Sequence, residues 1–196
     1  QRSVLTLGAA ISGLALFEFM KRYNYEYLKP WAVALLLGAT FRYVFFDLLI
    51  HNPLFNSDQK VGSLPLLNAV TLTYGGATAC FMYAAYRKIT EENGIPLFFA
   101  GVSLFLFSSF TVRQYFHGTQ LMGGGVSPAE LYSYSAIWLL TGIALVSIGI
   151  YKDIKMARMA SIGFILLAVS KVFLYDAAEL EGLFRIISFL GLGLSL

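Results

Sequence analysis

The chain has 196 residues, of which 58% are hydrophobic and 13% charged, and its mean hydropathy is +0.69. Soluble domains are about 45–50% apolar and about 25% charged, so this composition fits lipid rather than water as the solvent. The formal net charge of +3, with no basic patch, argues against a nucleic-acid surface, and the single cysteine, Cys80, excludes an intrachain disulfide and a multi-cysteine metal site.

In chain order, the apolar segments are Val4–Met20, Trp31–Leu49, Leu64–Tyr86, Ile95–Val112, Tyr132–Tyr151, Met156–Tyr175 and a run that begins near Phe184. Only helices and closed barrels satisfy the backbone in lipid, and runs of about 17–23 residues without strict alternation predict helices. The expected fold class is all-α, a polytopic transmembrane helix bundle of about seven spans, with residues 1–196 as one transmembrane domain. Gln1 is not an initiator, no charged n-region precedes the first apolar run, so no signal peptide is expected in it, and Leu196 falls inside the run Ile186–Leu196. The expectation is a fragment of a longer membrane protein.

Lys and Arg set the orientation. Lys21, Arg22 and Lys29 follow the first segment, Arg87 and Lys88 the third, and Lys152, Lys155 and Arg158 the fifth. These three loops are expected in the cytoplasm and the loop around Gly123 outside, in a multi-pass protein of the bacterial inner (plasma) membrane. Glu18 is the one carboxylate within a span, and from near its inner end it is expected to reach towards the interface.

The chain carries an internal repeat. At an offset of 129, residues 12–55 align on 141–184 without a gap. Ser12–Leu16 meets Thr141–Leu145, Lys29 meets Arg158, Arg42 meets Lys171 and Asp47 meets Asp176. The offset spans four helices, which predicts a parallel repeat rather than the inverted kind common in transporters.

The candidate polar cluster is Arg113, His117, Lys171, Asp176, Glu179, Glu181 and Arg185, with Arg42 and Asp47, all at the expected outer level. Ionisable residues in spans face a bundle interior or a wet cavity. Arg42 and Asp47 are five residues apart, about 140° around an α-helix, so each is expected to find its partner on another element. Arg113 and His117 share a face if the fourth helix continues through them. Gly118 and Gly123–Gly125 read as a mobile outer loop, and Ser127 with Glu130 as a capping box with Pro128 at the first helical position. No nucleophile elbow, metalloprotease motif or phosphate-binding loop is present, so no catalytic residue, metal or cofactor is assigned.

The segments Val112–Gly118, Ala129–Leu140 and Lys171–Leu196 closely resemble the C-terminal part of a large bacterial family of predicted membrane proteins, domain of unknown function 2339. The resemblance implies a much longer protein and no established activity.

The leading functional expectation is an outer-face polar cluster that binds an envelope component, a lipid or glycan, or another membrane subunit. One alternative is a membrane enzyme or carrier for lipid-linked or glycan substrates at the periplasmic face, with Arg113, His117, Lys171 and Arg185 converging on an anion. The second is a transporter or channel, which needs more polar residues inside spans than Glu18, Thr71, Thr73 and Ser103 supply.

Overall fold

A computed structural model describes residues 2–55, 61–62, 68–89, 94–176 and 193. These residues form helices and no strand. The chain divides into two compact units, Gln1–Gly124 and Gly125–Leu196.

The first unit holds four helices. α1 is Arg2–Tyr23. α2 is Lys29–Arg42, entered through a 3₁₀ turn at Glu26–Leu28 and continued as a π-helix over Tyr43–Ile50. α3 begins as a π-helix at Thr71–Gly75 and becomes α-helical over Gly76–Tyr86. α4 is Gly94–His117. The second unit holds α5, Pro128–Tyr151, and α6, Lys155–Lys171, which also continues as a π-helix, Val172–Asp176. Pro30 and Pro128 stand in first turns, where the missing N–H has no intrahelical acceptor to lose. Ser127 caps α5 by accepting a 3.2 Å hydrogen bond from the Glu130 amide.

Five helices are long and apolar enough to cross a membrane: Val4–Tyr23, Glu26–Ile50, Gly94–His117, Pro128–Tyr151 and Lys155–Tyr175. The third expected span is a shorter helix, described over Thr71–Tyr86, and the seventh lies outside the described residues. Against the expected seven, the described residues therefore show five long spans and one shorter helix.

All three helix pairs turn in the same way. Asn24, Lys88 and Asp153 have φ of 57°, 51° and 50°. The amides of Tyr25, Ile89 and Ile154 reach back to the carbonyls of Met20, Ala84 and Gly149 at 3.1, 3.2 and 2.9 Å. This is the bonding of a Schellman motif, in which a left-handed residue closes the helix and its successor caps a carbonyl of the last turn.

The repeat is present in the backbone. At the offset of 129, Asn24 falls on Asp153 and the first π residue Tyr43 on Val172, and α2 and α6 end on the matched cations Arg42 and Lys171. Gly13 falls on Gly142. A Cβ at Gly13 would lie 2.9 Å from Leu36 Cγ, and one at Gly142 would lie 2.7 Å from Ile165 Cγ1, the matched position. Both hairpins therefore close at one equivalent glycine, as membrane helices do where small residues let backbones approach. The register also extends before Ser12, since buried Thr6 falls on buried Ser135.

In the first unit, Tyr43, Val61, Val70, Tyr74, Phe110 and Leu121 form a buried cluster, with Tyr74 edge-on to Phe110 at 4.8 Å between ring centroids. A second cluster, Phe17, Met20 and Ala32, closes the turn end of α1–α2. α3 lies against α1, where a Cβ at Gly76 would meet Leu7 Cδ1 at 2.8 Å.

Candidate functional site

Arg42 and Asp47 meet through one hydroxyl. Arg42 Nε donates to Thr6 Oγ1 at 2.9 Å, and Thr6 Oγ1 donates to Asp47 Oδ2 at 2.6 Å. The expectation that the two charges face apart took the turn of a regular α-helix. Residues 43–50 are a π-helix, whose i→i+5 bonding turns less per residue and brings positions five apart towards one face. Asp47 is 5% exposed, and its backbone carbonyl accepts from Tyr74 Oη at 3.1 Å. Among the described residues, its Oδ1 accepts no hydrogen bond.

Thr6 and Asp47 stand on the wall of a partly open cavity of about 150 Å³ lined by α1, α2, α3 and α4. The other polar side chains on that wall are Thr40, Tyr43, Thr73 and Cys80. Thr40 is bonded to Leu36 O at 2.8 Å, and Tyr43 Oη shares a 2.8 Å hydrogen bond with buried Ser103 Oγ. The Thr73 hydroxyl has no hydrogen-bond partner among the described residues. The rest of the wall is apolar and runs on to Ala84, Ile89, Ile95 and Pro96, at the α3–α4 turn. From Thr73 to Ala84 the wall follows α3 for roughly 16 Å, at ~1.5 Å per residue.

At the other end of the unit, α4 continues to His117 as expected, and Arg113 and His117 lie one turn apart on it. Arg113 is buried; its Nε donates to Leu121 O at 3.1 Å and its Nη2 to Gly123 O at 2.8 Å. Gly118, Gly123 and Gly124 take φ of 69°, 85° and 75°, and a Cβ at Gly124 would stand 2.8 Å from His117 Cε1. The stretch read as a mobile loop is thus pinned by Arg113 and laid against His117. Gln114 extends the same fastening: its Oε1 accepts from Asn68 Nδ2 at 2.7 Å, and its Nε2 donates to Gly62 O at 2.9 Å.

In the second unit, Lys171 Nζ donates to Leu131 O at 2.8 Å and to Ser135 Oγ at 2.9 Å. Ser135 is the repeat equivalent of Thr6 and Lys171 of Arg42, so each hairpin joins a cation of its second helix to a hydroxyl of its first. Glu130 is fully buried, and its Oε1 accepts from Tyr134 Oη at 2.8 Å. Of the remaining candidates, the Asp176 side chain and all of Glu179, Glu181 and Arg185 lie outside the described residues.

Glu18 does not reach to the interface alone. Its two carboxylate oxygens accept from Nε and Nη2 of Arg87, a bidentate pair that ties α1 to the α3–α4 turn. The Glu18 hydrogen bond also pushes the Arg87 guanidinium above its ordinary pKa. No three His, Cys, Asp or Glu side chains among the described residues stand together as metal ligands.

The family model described as predicted membrane protein (DUF2339) matches residues 1–196. The chain belongs to the DUF2339 family. Membership covers the whole chain, beyond the C-terminal motifs that carried the resemblance, and agrees with the set of long apolar helices. No curated protein and no solved structure matches the chain.

Sequence reasoning reached Asp47 and Arg42 but missed Thr6, the atom that joins them. The signal was available, because continuing the offset of 129 before Ser12 pairs Thr6 with Ser135. Thr73 and Ser103 counted only as small hydroxyls in spans, and nothing in a single sequence places Thr73 beside Asp47 on one cavity wall.

Proposed function

We propose that this chain is part of a bacterial inner-membrane protein that binds an envelope component at its outer polar end, with Asp47 as the ligand-facing group. The Gly123 loop is outside in this reading, and the Arg87–Lys88 loop is cytoplasmic. One observation carries it: a carboxylate inside a span keeps one oxygen for an acceptor role while Arg42 and Thr6 hold the other in place. An ionisable group in a membrane span is expensive and marks a binding site more often than a fastening. A fastening also has both carboxylate oxygens engaged, as Glu18 does with Arg87. Arg113 and Lys171 spend donors on carbonyls of their own units and support the scaffold around the site.

The test is to purify the full-length protein from its native membrane and identify co-purifying lipids and glycans by mass spectrometry. One component should be enriched over the bulk membrane, and Asp47→Asn should remove that enrichment while the melting curve stays cooperative. A wild-type profile identical to the bulk membrane defeats the proposal.

A further inference from the structure

We infer that the cavity of the first unit takes the hydrocarbon chain of a single-chain amphiphile whose headgroup, a hydroxyl or an amine, donates a hydrogen bond to Asp47. This rests on the binding role given to Asp47 above and names the ligand chemistry of that site.

Four observations combine. First, a partly open cavity of about 150 Å³ is lined almost wholly by apolar side chains. A dry engineered cavity of ~150 Å³ binds an apolar group the size of benzene. Here the volume is drawn out along α3 for roughly 16 Å, so it admits one chain and no fused ring system. Second, the polarity is concentrated at one end. Thr6, Tyr43, Asp47 and Thr73 stand together there, whereas the far end is Ala84, Ile89, Ile95 and Pro96. A narrow apolar tube with a polar mouth has the outline of an amphiphile.

Third, the mouth is an acceptor. The guanidinium of Arg42 can only donate, and it donates to Thr6 Oγ1. Thr6 has a single hydroxyl hydrogen, and it goes to Asp47 Oδ2. The direction of both bonds makes the carboxylate the sink of the chain. Fourth, Asp47 Oδ1 receives no donor among the described residues, although the residue is 5% exposed. An unsatisfied buried carboxylate oxygen is strongly unfavourable, so the site is complete only with a donor in it. A hydroxyl or amine headgroup provides that donor. A deprotonated carboxylate headgroup offers no donor.

Cys80 reports on the site because it lies on the cavity wall, partway along, and is the single cysteine of the chain. The full-length protein, with any cysteines elsewhere in it substituted, is delipidated in a bulky steroidal detergent that does not fit so narrow a channel. Alkylation of Cys80 by N-phenylmaleimide is then timed with monolaurin, lauric acid or dodecane present. Monolaurin should slow alkylation several-fold, and lauric acid and dodecane much less. Asp47→Asn should erase the preference for monolaurin over lauric acid. Ala77→Phe, which fills the cavity from α3, should abolish protection by monolaurin with helix content unchanged. If that variant fails to fold, the wild-type series still decides. No slowing by monolaurin, or equal slowing by dodecane, overturns the inference. Asp47-dependent enrichment of an envelope component with no protection of Cys80 overturns the chain site and leaves the binding role standing. Protection of Cys80 with nothing enriched from native membranes does the reverse.

Discussion

Replacing Gly142 by alanine should loosen the α5–α6 hairpin, while the same replacement at Gly163 should strengthen α6. Alanine exceeds glycine in a helix interior by about 1 kcal/mol in propensity. At Gly163 and Gly38 an added Cβ meets nothing within 4 Å, so that gain is realised and both variants should be more stable by about 0.5–1 kcal/mol. At Gly142 the Cβ would stand 2.7 Å from Ile165 Cγ1 and 3.4 Å from both Ile165 N and Phe164 Cβ. Ile165 Cγ1 is bonded to the branched Cβ, and the backbone N of the same residue stands close behind it, so relief requires the helices to part. Overpacking of this kind costs about 1–3 kcal/mol. Less the propensity gain, Gly142→Ala should lose up to about 2 kcal/mol. Gly13→Ala meets Leu36 Cγ at 2.9 Å and Cδ2 at 3.0 Å, a leucine that has more freedom to turn, and should lose less. For a protein of this size 1 kcal/mol moves Tm by about 2–4 °C, so far-UV circular dichroism melts separate the two classes. A Gly142→Ala protein that melts at or above Gly163→Ala would refute the close approach of α5 and α6 at that glycine.

Two further outcomes bear on topology and on the outer loop. In a background without reactive cysteine, Gly125→Cys should react with a membrane-impermeant thiol reagent on intact cells and Asp153→Cys should not; the opposite pattern reverses the orientation. Gly125 has open space around its Cβ position, and the Asp153 side chain is 92% exposed, so Asp153→Cys gives up only an exposed ion pair with Arg158 and the ease of aspartate at a left-handed corner. Arg113→Gln removes charge-assisted donors from Leu121 O and Gly123 O in a buried setting and should lower stability by about 1.5–3 kcal/mol. Faster proteolysis at Gly123–Gly125 should accompany it, and an unchanged melt would show that Arg113 is not what holds the loop.

Helix existence and the repeat were legible because lipid demands long apolar runs and because cations and carboxylates recur at one offset. The contacts were not. The π-helix at Tyr43–Ile50 has no sequence signature, and without it the turn of a regular helix sends Arg42 and Asp47 to different faces. Glu18 finds Arg87 across 69 positions, a partnership no local rule contains. The glycine loop was misjudged for a related reason: glycine reports what a backbone is able to do, and Arg113, one turn inside α4, decides what it does. The Ser127 cap was readable because its partner is three residues away.

The two π-helices open at matched positions in dissimilar text, Tyr43–Val44–Phe45 in one copy and Val172–Phe173–Leu174 in the other. A wide turn at matched positions over different residues belongs to the register of the hairpin and not to one local sequence. The two hairpins share that turn, their glycine crossing, their left-handed corner and their cation–hydroxyl link. Both keep the same number of positions between the hydroxyl and the wide turn. They differ in the pair that makes the link, threonine with arginine in one and serine with lysine in the other.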